Sequence, residues 1–169
     1  MMGLQTCKLL SILNTSLKNS TPGAQSMALY VMEGFRSFWQ SKLECSCQES
    51  CLFRICSRIN NLYVYAFYGN PGHDGSLYDC LFDSMVRVQS VDNKAVFLFV
   101  SDANAHHSEW LASVSPTDRH GSDALDFCNL SGCEQLVRCP THIVGNRLDL
   151  AITDVLDIVD VIVGTPLGS

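Results

Sequence analysis

An α/β fold is predicted for this chain from three features. Apolar runs of strand length alternate with stretches whose apolar residues recur at helical spacing. The run from Ala95 to Val100 is apolar or aromatic at almost every position, the pattern of a strand covered on both faces. The composition, 169 residues of which 47% are hydrophobic and 17% charged, supplies one domain with a real core and is short for two.

Residues 1 to 26 are rich in Ser, Thr, Asn, Leu and Lys, contain no Asp or Glu, and break at Pro22-Gly23. They are expected to be a divergent segment, 1–26, that packs poorly beside a domain spanning 27–169. Met27 to Val31 fits a strand or a helix, and the turn signal Glu33-Gly34 favours a strand. Cys51 to Arg58 and Leu62 to Tyr68 are rich in aromatic and β-branched residues and flank Asn60-Asn61, so they read as a hairpin with Tyr68 at a strand exit. The loop GNPGHDGS follows. Ser76 and Asp79 form a capping-box pattern, and Leu77, Leu81, Met85 and Val88 then share one helical face.

A polar turn, Val91 to Lys94, leads into the strand Ala95 to Val100. Pro116 to Gly121 reads as a loop, with Ser122 capping a short helix that carries Ala124, Leu125 and Cys128 and ends before Gly132. Three more extended segments are expected: Glu134 to Arg138, Asn146 to Thr153 and Ile158 to Val163.

The formal charge is -6 and the pI near 5.2, which excludes the broad basic surface of a tight nucleic-acid binder. DNA would be held weakly or locally, which suffices for an enzyme complementary to one reacting phosphate. Nine cysteines are an odd number, so at least one has no internal partner. The N-terminal run Leu9 to Leu13 is too weak for a signal peptide, and no run approaches the ~20 apolar residues of a membrane span. Free thiols in a reducing, intracellular compartment are therefore expected, nuclear or cytoplasmic rather than secreted, with no membrane and no disulfide-linked partner. Cys45, Cys47, Cys51 and Cys56 resemble a zinc cluster in number. However, Cys51 and Cys56 are separated by an odd step on one strand and face opposite sides of it, which favours ordinary thiols.

Chemistry concentrates where the apolar run stops, at Asp102, Asn104, His106 and His107. The small Ala103 and Ala105 leave room for a ligand. A carboxylate and a carboxamide two apart in an extended segment point the same way and can converge on one metal-bound phosphate. The same residues also suit a polar loop capping a core strand. Asp149 lies between Leu148 and Leu150. There an acid either has a paired partner or occupies a solvent-facing alternate position.

The strings YVYAFYGNP, FLFVSDANAHHSEWL, TDRHGSDALDF, CEQLVRCPTH and NRLDLAITDV resemble, in order, the endonuclease/exonuclease/phosphatase superfamily. The resemblance runs from about Ala28 to Ser169 and is specifically to the endonuclease domain of non-LTR retrotransposon (reverse transcriptase) polyproteins. The central family motif, Gly-Asp-x-Asn-Ala-His, is similar to Ser101-Asp102-Ala103-Asn104-Ala105-His106, with serine in place of glycine. The resemblance implies an incomplete four-layered α/β sandwich of the deoxyribonuclease type, a Mg²⁺ (or Mn²⁺) cofactor and DNA as partner.

By the same resemblance, Asp102 orients or deprotonates the attacking water, Asn104 hydrogen-bonds a phosphate oxygen, and Tyr68 approaches the scissile phosphate. Thr141 lies near the DNA backbone, and Asp149 steadies a catalytic histidine. His106 and His107 either touch substrate or hold the loop. The family's metal-binding glutamate falls upstream of Ala28, where this sequence has no Glu, and its closing Ser-Asp-His motif is not in the sequence, which ends Gly168-Ser169. The metal ligand is thus unassigned, and the chain reads as truncated at both ends. Two function classes follow: a metal-dependent hydrolase that nicks DNA, of low or no activity in this form, and a non-catalytic remnant or binding module of the same fold.

Overall fold

The structure, a computed structural model, describes residues 11–14, 27–30, 35–44, 50–57, 59–69, 76–110, 117–141, 149–156 and 161, with the backbone alone for 11–14, 27–30 and 76. Ten elements follow in chain order: β1 (Ser11–Asn14), β2 (Met27–Tyr30), β3 (Arg36–Trp39), β4 (Ser50–Cys56), β5 (Asn61–Tyr68), α1 (Ser76–Val91), β6 (Ala95–Asp102), α2 (Arg119–Ser131), β7 (Glu134–Gln135) and β8 (Asp149–Thr153). β1 and β2 pair antiparallel in a small sheet of their own, and β2 runs close to β5. The other strands form a mixed six-stranded sheet in the order β3-β4-β5-β6-β8-β7, in which only β5 and β6 are parallel. α1 is the crossover that this parallel pair requires.

Alternation along the strands sorts the sheet into two faces. Tyr63, Tyr65 and Phe67 of β5, Phe97 and Phe99 of β6, and Leu150 and Ile152 of β8 point to one face. There they meet Leu77, Leu81, Met85 and Val88 of α1 and Ala124 and Phe127 of α2. The rings interlock: Phe99 stacks on Tyr65 at 4.7 Å and meets Phe127 edge-on at 5.0 Å. Val64, Leu98 and Ala151 point to the opposite face with Ile55 and Val137. β6 is therefore covered on both faces, as its unbroken apolar run requires.

The hairpin of β4 and β5 forms as expected, but its turn is Ser57 to Asn60, and Asn61 already belongs to β5. The Ser57 hydroxyl organises it, accepting from the Asn60 N–H at 3.1 Å and donating to the Asn60 carbonyl at 2.6 Å. α1 starts at Ser76, whose side chain, and so the expected capping box, lies outside what is described. α2 begins earlier than expected. Asp118, not Ser122, is its N-cap, and Gly132 closes it in the left-handed conformation (φ 68°), the residue type that takes this backbone without strain. β7 is two residues long rather than five. Of the expected strand Asn146 to Thr153 the described part is β8, and Ile158 to Val163 lies outside the described residues except Val161, which is not in a strand.

The reading of every cysteine as a free thiol is corrected at Cys80, which is disulfide-bonded to a partner outside the described residues. Cys51, Cys56, Cys128, Cys133 and Cys139 are free. Burial pushes the Cys128 thiol up to about 12 and that of Cys133 to about 11, so both stay protonated and inert. Among the described residues no three His, Cys, Asp or Glu side chains form a group that could hold a metal ion. No described helix is long and apolar enough to cross a membrane.

Candidate functional site

The site is built where β5, β6 and β8 end together. In the ladder Tyr68 lies opposite Asp102, and Asp102 lies opposite Asp149. Directly opposed residues share a face of the sheet, so one row of three strands carries a phenol and two carboxylates on the face turned away from the helices. β6 extends two residues beyond the expected Val100, so Asp102 is the last residue of the strand rather than the first of a loop. Asp149 opens β8 and is exposed, so of its two readings the solvent-facing one holds and its charge bears no burial cost. Its N–H donates to Thr141 Oγ1 at 3.2 Å, which brings Thr141 to the same corner.

Asn104 reaches the corner by a route the sequence did not indicate. The expected extended segment breaks after Asp102, and Asn104 takes a positive φ of 46°, a conformation that asparagine tolerates better than most residues. Its Nδ2 donates to the Gly69 carbonyl at 3.2 Å, while the Gly69 N–H donates to the Asp102 carbonyl at 2.8 Å. Gly69 thus ties the exit of β5 to both Asp102 and Asn104. A Cβ at that position would lie 2.2 Å from the Ala103 carbonyl oxygen, so only glycine allows the approach. One N–H of the Asn104 amide is left over by this bond.

One expectation about this loop is corrected. Ala103 and Ala105 leave no room for a ligand: both are buried in the core, where their small side chains let the loop run tightly past Gly69 and under Trp110. Trp110 Nε1 donates to the Ala105 carbonyl at 2.9 Å. Ser101, next to Asp102, is buried on the helix side and its hydroxyl has no hydrogen-bond partner. His106 and His107 are half-buried beside the same loop. The Asp118 N–H donates to the His106 carbonyl at 2.9 Å, and His107 Nδ1 accepts from the Glu109 N–H at 3.1 Å.

Asp118 is the second residue, after Gly69, that sequence reasoning missed. Its Oδ1 accepts from the Gly121 N–H at 2.6 Å, capping α2, and from the His106 N–H at 3.2 Å. One carboxylate therefore locks the catalytic-looking loop to the helix start. The available signals were an Asp three residues before a helical glycine and a glycine placed directly after Tyr68. Asp118→Ala is expected to cost about 1–2 kcal/mol, the upper range for an N-cap because a loop contact is lost with it. Chemical denaturation checks this, and a loss under a few tenths would show that the clamp does not hold the loop.

Carboxylates directly opposite across a strand pair stand about 5 Å apart at Cβ. A divalent ion that keeps several waters and is bound by one or two carboxylates plus substrate phosphate fits this donor set, so Asp102 and Asp149 are the pair that would hold it.

No protein-family model matches the chain, and no curated protein does. Among solved structures the chain is similar to the endonuclease domain of TRAS1, a telomere-specific non-LTR retrotransposon, with a TM-score of 0.58 and 17% sequence identity. The match covers 85% of this chain and 64% of that one, so the chain spans less than two thirds of that domain's length. The likeness establishes the fold: the mixed sheet with its two helices is the α/β architecture of that endonuclease domain.

Proposed function

We propose that this chain carries the hydrolytic corner of a metal-dependent phosphodiesterase acting on DNA, the role that a non-LTR retrotransposon endonuclease domain would have, with little or no cutting by these 169 residues alone. The observation that supports it best is the convergence of Tyr68, Asp102, Asp149 and Thr141 at one end of the sheet, with Asn104 bound to the same corner through Gly69. In this reading Asp102 orients the attacking water and accepts its proton. Asn104, with its amide plane fixed by the Gly69 carbonyl, donates its remaining N–H to a non-bridging phosphate oxygen, where negative charge grows. Tyr68 approaches the phosphate from the neighbouring strand, and Thr141 bonds the backbone beside it. Mg²⁺ or Mn²⁺ at the two aspartates would supply Lewis-acid stabilisation of the phosphate.

Weak activity is expected because residues 1 to 26 hold no glutamate, so one expected metal ligand is lacking there. Such a loss costs roughly 10² to 10³ in rate. Supercoiled plasmid in Mg²⁺ or Mn²⁺ provides the test. The chain should nick it no faster than Asp102→Ala, while a longer version carrying both flanking motifs should cut in a manner that depends on Asp102 and Asn104. Cutting by the longer version that survives Asp102→Ala would remove Asp102 from the chemistry. An inert longer version would leave the alternative, a non-catalytic module of the same fold.

A further inference from the structure

We propose that Gly121, in the first turn of α2, is a positioning residue for Asn104. Its effect on rate rests on the reading of the chain as a DNA hydrolase, while its effect on Asn104 rests on geometry alone. Gly121 is buried and has ordinary helical backbone; among the described glycines only Gly132 takes a positive φ. Any residue could adopt such torsion angles, so what excludes a side chain at 121 is proximity. A Cβ there would overlap the carbonyl carbon and oxygen of His106 and lie 3.0 Å from the Cβ of His107. The two His106 atoms belong to the backbone and cannot turn aside.

The helix start and the loop therefore meet backbone to backbone. The Asp118 N–H donates to the His106 carbonyl at 2.9 Å, and Asp118 Oδ1 accepts from the N–H groups of both His106 and Gly121. Bonded to both polar groups of the His106 backbone, the helix start cannot slide along the loop to make room for a methyl group. Gly69 makes the matching contact at the other end of the loop, against the Ala103 carbonyl. The stretch from Ala103 to His106 is thus gripped between two glycines, and Asn104, with its φ of 46°, lies inside the grip. A residue other than glycine keeps a positive φ only where its surroundings over-determine it. Ala103 and Ala105, buried on either side of Asn104, leave the stretch no slack. Displacing His106 should therefore turn the Asn104 backbone and swing its amide off the Gly69 carbonyl.

Helix propensity alone predicts the opposite sign. Where a helical glycine has open space around it, replacing it by alanine stabilises the helix, because alanine loses less backbone freedom on folding. Gly121→Ala is expected instead to lower the melting temperature.

Nuclear magnetic resonance of the 169-residue chain reads the loop without any catalysis. The two tryptophans give two indole N–H signals, and the indole N–H of Trp110 donates to the Ala105 carbonyl at 2.9 Å, inside the grip. Trp39→Phe assigns the indole signals, and Asn104→Ala assigns the Asn104 side-chain amide. Gly121→Ala should shift the Trp110 indole and the Asn104 amide and leave the Trp39 indole in place. Asp118→Ser keeps a capping side chain but shortens the link to the His106 N–H; it should shift the same two signals, and it decides the matter if Gly121→Ala does not fold. In any version of the protein that cuts DNA, Gly121→Ala should lower kcat about a hundredfold, but less than about threefold further in an Asn104→Ala background. A raised melting temperature with both loop signals unmoved would overturn the proposal, and so would rate losses that multiply in full. If no version cuts DNA, the hydrolase reading fails, and the two signals still decide for or against Gly121.

Discussion

Phe99→Ala is expected to remove about 3–5 kcal/mol of stability, the range for truncating a buried aromatic. Phe99 is 1% exposed and lies at the centre of the ring cluster, stacked on Tyr65, edge-on to Phe127 and 6.1 Å from Phe97. Those neighbours belong to β5, α2 and β6, so a cavity there loosens α2 from the sheet and the seam between β5 and β6 at once. Collapse to refill it would have to move several rings that are themselves fully buried. Against a typical domain stability of about 5–15 kcal/mol, that is a large fraction of the total. Urea denaturation measures it; a loss below about 1 kcal/mol would mean the ring cluster is not packed as described.

Gly69→Ala should have the second largest effect, and it is felt at the candidate site. The added methyl would meet the Ala103 carbonyl oxygen at 2.2 Å and its carbon at 2.7 Å, both backbone atoms that cannot rotate away. Relief requires the exits of β5 and β6 to separate, which stretches the Gly69 N–H bond to Asp102 and the Asn104 bond to Gly69. The expected cost is about 1–3 kcal/mol, as for an overpacked site. In any version of the protein that cuts DNA, a displacement of about 1 Å at Asp102 and Asn104 should lower the rate about a hundredfold. A thermal melt and a nicking assay separate the two effects. An unshifted melting temperature would show that the loop yields freely and that Gly69 positions nothing.

Much of this architecture follows from local pattern. The apolar run at Ala95, the helical spacing of Leu77, Leu81, Met85 and Val88, and the hairpin ending at Tyr68 appear in the structure as β6, α1 and the β4–β5 pair. β1 and β3 were not anticipated. β3 is exposed along its whole length, so no alternation of apolar and polar residues marks it, and what makes it a strand is its ladder with β4. α2 is capped by Asp118 rather than Ser122, and the capping carboxylate also makes a tertiary contact, with the His106 N–H.

The sequence by itself determined the α/β class, the strand that carries the site and the residue types at its end, because hydrophobic periodicity and motif order are properties of the chain alone. It could not determine that Asp149 stands opposite Asp102. Strand register is set by which faces are buried together, and the partners here are separated by 47 residues of chain. Nor could it decide that Ala103 and Ala105 are core, that Asn104 adopts a positive φ, or that Gly69 joins two strand exits. Each of these depends on how closely backbone approaches backbone, a distance fixed only when helices and sheet close around the same rings.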